Sequence, residues 1–130
     1  MAGNTNLQEI LNSLQISCDD VEYGFATAPQ GETISADEVL CTFREPEGLT
    51  VIASKGYLEA NDLTFDGTYA KLTVEIHTSL ALVGLTAVLA EALADNGISA
   101  NVVAAYYHDH VFVPYDIRRE AARILLGLKQ

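Results

Sequence analysis

The residues best suited to chemistry cluster late in the chain, at His108, Asp109 and His110. Residues two apart on an extended chain share a face, so His108 and His110 point to one side. Two imidazoles there can begin a metal site, with Glu75 or His77 as a third ligand. The same trio can serve acid–base chemistry in a metal-dependent enzyme. Asp109 can accept a charge-assisted hydrogen bond from an ammonium group, or close a turn on its own backbone. Gly84 opens an amphipathic segment. A glycine there either lets a carboxylate approach the N–H donors of a helix start, favoured by the helix dipole, or serves the turn alone. Cys18 and Cys41 fall in no C-x-x-C or zinc spacing and no nucleophile signature. The chain contains no G-x-S-x-G, P-loop or G-x-G-x-x-G.

The elements that must position these groups are legible from periodicity. Tyr69–His77 alternates, with Ala70, Leu72, Val74 and Ile76 on one face, which predicts a half-buried strand. Leu85, Val88, Leu89, Ala92 and Leu93 form the apolar face of a helix over 84–96, closed by Gly97. Ile98–Tyr106 reads as a strand, His108-Asp109 as a tight junction, and His110–Pro114 as a further strand. Of Tyr106 and Tyr107, alternation sends one inward and one outward. Asp116 is placed to cap a last helix that buries Ile117, Ala121, Ile124, Leu125 and Leu128. Arg118 and Arg119 then form its solvated face, with Asp116 and Glu120 as neighbours.

The order from residue 69 is β-α-β-β-α, most of a ferredoxin-like unit lacking its last strand. Earlier in the chain, Leu7, Ile10, Leu11 and Leu14 predict a helix capped by Thr5 or Asn6. Val21–Thr27 predicts a strand ended by Pro29-Gln30-Gly31. Leu40–Arg44 and Leu49–Ala53 predict a hairpin turning at Glu45–Gly48. Ser35-x-x-Glu38 has the form of a capping box, for a helix of one turn. Lys55-Gly56-Tyr57 and Asn61-Asp62 read as irregular or weakly helical.

Composition bounds the function. The 130 residues allow one domain or two small modules, and 49% hydrophobic residues predict a packed core. The net charge of −11 excludes a phosphate-binding nucleic-acid partner and an anionic membrane surface. The charge is uneven: residues 1–65 hold 11 acidic and 2 basic side chains, residues 66–130 hold 7 and 5. Two unpatterned cysteines fit a reducing compartment. The start carries no basic and apolar leader, and the longest apolar stretch, Leu80–Ala90, is far short of the ~20 residues that span a bilayer. A cytoplasmic protein is expected.

Several motifs carry a family resemblance: Phe25-Ala-Thr-Ala-Pro, Leu40-Cys-Thr-Phe-Arg-Glu-Pro-Glu-Gly-Leu-Thr-Val-Ile, Leu82-Val-Gly-Leu-Thr-Ala and Asn101-Val-Val-Ala-Ala-Tyr-Tyr-His-Asp-His-Val-Phe-Val-Pro. With these the chain resembles small bacterial stand-alone proteins built of paired ACT domains, over roughly Phe25 to Leu128. The last motif also resembles the ACT module of eukaryotic cytosolic arginine sensors, where serine-threonine-tyrosine, one variable residue and threonine-aspartate precede an apolar strand. Ala104 and Ala105 replace the two hydroxylated residues here.

The resemblance implies an α+β fold of tandem ferredoxin-like βαββαβ-like modules, with antiparallel sheets and helices on one face. Their expected extents are 1–65, degenerate, and 66–130. It implies a non-enzymatic regulatory module that binds a small molecule, an amino acid by expectation, with no cofactor. The loop Thr78–Gly84 and the neighbouring strand edges would hold the ligand, through Val83, Gly84, Leu85, Ala105, Tyr106, His108 and Asp109. A homodimer is expected. The rival readings are a purely structural oligomerisation module and a metal-dependent enzyme using His108 and His110.

Overall fold

A computed structural model describes residues 2–29, 31–76 and 84–130. Its elements, in chain order, are α1 (Ala2–Asn12), β1 (Gln15–Cys18), β2 (Tyr23–Ala28), β3 (Cys41–Glu45), β4 (Gly48–Ser54), α2 (Lys55–Ala60), β5 (Tyr69–Glu75), α3 (Leu85–Ala94), β6 (Asn101–Ala104), β7 (Asp109–Pro114) and α4 (Arg118–Leu126). They form two compact units, one of residues 1–20 and 70–130, the other of residues 21–69. None of these helices is long and apolar enough to cross a membrane.

The larger unit holds four strands in the order β1-β5-β7-β6. In β5, Ala70, Leu72 and Val74 are almost fully buried, while Tyr69, Lys71 and Thr73 keep partial exposure. This is the expected alternation. Leu85, Leu89 and Leu93 of α3, Ala121 and Leu125 of α4, and Leu11 of α1 pack in one cluster with Leu72, Val74, Val111 and Val113. The helices therefore cover one face of the sheet. Each fully buried leucine contributes roughly 1.5–3 kcal/mol relative to exposure, which holds this layer to the strands.

Strand β1 is what the periodicity did not show. Gln15–Cys18 pairs antiparallel with β5, from Gln15↔Glu75 to Cys18↔Leu72. It supplies the strand that the 69–128 pattern lacked, so the unit has the full βαββαβ complement with its last strand taken from earlier in the chain. In the compact units, α1 and β1 group with residues 70–130.

The smaller unit holds β3-β4-β2, with Ala26 bridged to Phe65. The hairpin β3–β4 turns at Glu45–Gly48, as its residues predict. Gly48 is needed there on two counts: its φ is +157°, and a Cβ would meet Thr27 Oγ1 at 2.9 Å. Of the irregular and weakly helical alternatives, residues 55–60 take the helical one, because Ser54 Oγ accepts a hydrogen bond from the Tyr57 N–H at 3.2 Å and Leu58 is fully buried. Glu38 N–H bonds to Ser35 O at 3.1 Å, a single turn where the motif suggested a cap. The core here is small: Ala26, Ala28, Val51, Ala53, Leu58 and Leu63.

Candidate functional site

Helix α3 starts on Gly84, whose φ of +97° lies in the left-handed region. The helix has no side-chain cap. Among the described residues, a Cβ on Gly84 would meet Leu7 Cδ2 at an ordinary 3.6 Å. The backbone conformation asks for glycine. Leu85 is 3% exposed and belongs to the core, so its backbone N–H, not its side chain, is the group on offer. Val83 lies outside the described residues.

The hairpin β6–β7 carries the other candidates. Ala104 pairs with Asp109, and Ala105 N–H bonds to His108 O at 3.0 Å. The reversal therefore centres on Tyr106-Tyr107, not on His108-Asp109, and Asp109 is the first residue of a strand. Both tyrosines are 76% exposed, with ring centroids 4.8 Å apart at 85°. The expected in-and-out alternation fails because turn residues lie outside the pleat. Ala105, His108 and Asp109 are half-buried.

His110 sits one pleat further along β7. Its Nδ1 lies 3.0 Å from Thr73 Oγ1 on β5. Partial burial holds its imidazolium below the ordinary histidine range, reinforced by the charges of Lys71 and His108 and opposed by Asp109. The His108 and His110 rings are 6.4 Å apart, edge to face. Among the described residues no group of three or more His, Cys, Asp or Glu is placed to hold a metal ion. His77 lies outside them.

In a strand–helix–strand crossover the two strands run the same way. With β7 between β5 and β6, the exit of β5, the start of α3 and the β6–β7 turn fall at one end of this sheet. The fold thus brings Ala105, Tyr106, His108 and Asp109 together on one hairpin and sets Gly84 and Leu85 at the same end on another element. Chemically this offers the N–H groups of a helix start, uncapped by any side chain of Gly84, for an anion, and a carboxylate for a cation.

A second polar cluster escaped the sequence reading. Arg118 does not turn to Asp116 or Glu120. Its Nε donates to Asp20 Oδ1 at 3.1 Å, its Nη1 donates to Tyr115 O at 2.9 Å, and its guanidinium stacks 3.9 Å from the Tyr115 ring centroid. The Tyr115 hydroxyl donates to Asp20 O at 2.9 Å. Asp20 holds a left-handed φ of +59°, and Lys71 pairs with Asp19 at 3.4 Å. Glu120 instead pairs with Arg123, and Asp116 lies in a 3-10 turn, with no side-chain cap on α4. Cys18, beside Asp20, has its thiol pushed up by burial, which disfavours the reactive thiolate. The only signal was an Asp doublet and an Arg doublet a hundred residues apart, which no spacing rule connects.

Two family profiles described as ACT domain match the chain, at residues 2–70 and 64–126. The chain belongs to the ACT-domain family, as a tandem of ferredoxin-like modules. A Vibrio cholerae protein of unknown function, described as a possible transport protein, is 35% identical and superposes with a TM-score of 0.85, over 98% of this chain and 99% of that one. Aspartokinase alpha and beta subunits share the fold at 16% identity and a TM-score of 0.68, over 87% of this chain and 95% of that one. The ligand-free regulatory subunit of aspartate kinase from Thermus thermophilus shares it at 11% identity and 0.57, over 88% and 97%. No curated protein matches.

Proposed function

We propose that this protein is a non-enzymatic regulatory module that binds a free α-amino acid in the unit of residues 1–20 and 70–130. One observation carries the reading: α3 begins on a left-handed glycine without a side-chain cap, at the same end of the sheet as Asp109. An α-carboxylate fits the first N–H groups of α3, where the dipole favours negative charge. An α-ammonium fits the Asp109 carboxylate. Leu85 contributes its backbone, and Ala105, Tyr106 and His108 flank the ligand side chain; Val83 completes the set from the segment before Gly84. Membership in the ACT-domain family and the likeness to aspartate kinase regulatory subunits support a small-molecule regulatory role. The free thiols of Cys18 and Cys41 support a reducing compartment, the cytoplasm.

The test is calorimetric titration with each of the twenty amino acids, beside thermal unfolding. A true ligand at one hundred times its dissociation constant stabilises the fold by ~2.7 kcal/mol. A folded sample that responds to none of them overturns the reading.

A further inference from the structure

Both units are built to one plan. The larger joins β5, α3, β6, β7, α4 and the early strand β1, in the sheet order β6-β7-β5-β1. In the smaller, β3-β4-β2 repeats the first three places of that order, α2 follows β4, and Phe65 bridges Ala26 of β2. Each part of the larger unit's βαββαβ plan thus has a counterpart, except α3. That helix buries Leu85, Leu89 and Leu93, a stripe at four-residue spacing, against the sheet. At the same place in the chain, between β2 and β3, the described residues 31–40 form turns and no helix.

The smaller sheet shows the consequence. Leu49 and Val51 lie on one face of β4, the face that packs on Leu58 of α2. Beside them the turns leave a hollow of about 400 Å³, lined by Ile34, Ala36, Val39, Leu40 and Leu49, among others. Leu40 is 42% exposed. A helix with its side chains is ~10–12 Å across, so the hollow receives one apolar face and not a whole helix. The rim is acidic. Glu32 lines the hollow, and the exposed Asp37 and Glu38 stand in the turn between Ala36 and Val39. Against these three acids, Arg44 is paired with Leu49 on the same face. The excess extends over the whole unit, where residues 21–69 hold nine acidic and two basic side chains.

We propose that this hollow docks an amphipathic helix of another protein, one whose apolar stripe is flanked by lysine and arginine. The helix takes the place on this sheet that α3 takes on the other. Its apolar stripe enters the hollow, in the helix-in-groove mode. Its basic flanks meet Glu32, Asp37 and Glu38, which steer the encounter and fix the partner's charge. A second copy of this chain fits poorly, since each copy carries −11. Its helices α1, α3 and α4 also spend their apolar faces on their own core. The inference does not rest on the amino-acid reading and survives its failure.

The probe is a labelled helical peptide of about 18 residues, with leucine at the spacing of Leu85, Leu89 and Leu93 and lysine and alanine elsewhere. Fluorescence anisotropy should show saturable binding to the full chain, and none for the peptide with glutamate in place of lysine. Leu40→Asp and Ile34→Asp make the chain more acidic, so simple charge attraction would grow. Both should instead weaken docking ~tenfold or more, because the new carboxylate meets the apolar stripe. Leu40 is exposed enough for its variant to fold. Glu32→Lys with Glu38→Lys should weaken binding ~tenfold. Glu9→Lys with Glu91→Lys, the same charge change at exposed sites of the larger unit, should weaken it less. The proposal is overturned by no binding, by equal binding of the glutamate peptide, or by binding that both aspartate variants leave intact. Equal losses from the two lysine pairs overturn it as well. So does a dimer in sedimentation equilibrium that Leu40→Asp dissociates, which would give the hollow to a second copy.

Discussion

The two compact units solve one architectural problem with different materials. In residues 1–20 and 70–130, three helices cover four strands, and the core is built of leucine and valine. Among the described residues of 21–69, the one helix is six residues long and the core relies on alanine: Ala26, Ala28 and Ala53 line it beside Val51, Leu58 and Leu63. Small side chains bury less area, so the second unit gains less per residue from the same strand pattern. Its missing helix also leaves a hollow and an uncovered edge.

The comparison predicts a ranking. Leu89→Ala, at a fully buried site on α3, should cost about 3–5 kcal/mol in urea unfolding, because the surrounding Leu and Val side chains cannot close the cavity. Leu49→Ala, half-buried beside the hollow, should cost under about 1.5 kcal/mol. Equal losses would erase the contrast between a well-covered and a poorly covered sheet.

Asp109→Asn keeps the size of the side chain and removes its charge. It should weaken amino-acid binding at least ~tenfold in titration, with the unfolding midpoint unchanged. Binding that survives intact moves the site away from this hairpin. The same change made in the smaller unit, Asp62→Asn, should leave binding alone.

Replacing Arg118 with alanine removes the tie from α4 to Asp20. It should lower the urea midpoint by less than Leu89→Ala does, because Asp20 is exposed and the pair is screened. Hydrogen exchange should report the loosening at β1 and α4 and leave β2–β4 unaffected.

The smallest effect is on pH. His110 binds a proton more weakly folded than unfolded, so the unfolded chain carries more protons between the two values. Stability from this group is complete above the unfolded value of about 6.5 and is lost as pH falls through the folded one. His110→Gln should flatten that part of the stability curve. An unchanged acid slope would show that other groups set it.

How far the sequence reaches depends on the length of each signal. β5 and α3 were legible because seven and ten residues sample their period several times. The β3–β4 hairpin was legible because Glu-Pro-Glu-Gly has little use except a turn. The six-residue α2 was not, since its one clear sign is a serine at the N-cap, common everywhere. In the candidate site, Gly84 and Asp109 could be named from residue type and neighbours, but the position of the turn could not. Tyr106 and Tyr107 suit a strand, and only the pairing of Ala104 with Asp109 pushes them out to the tip.

The amino-acid sequence by itself determined which faces are apolar, the βαββα order after residue 69, and the acidic character of the chain. The tertiary structure decided the rest. A four-residue stretch such as Gln15–Cys18 has too short a pattern to declare itself, and becomes a strand because β5 offers it a ladder. Arg118 finds Asp20 rather than its helical neighbours for the same reason. Local physics sets what each segment can be, and contact with distant segments selects among those states.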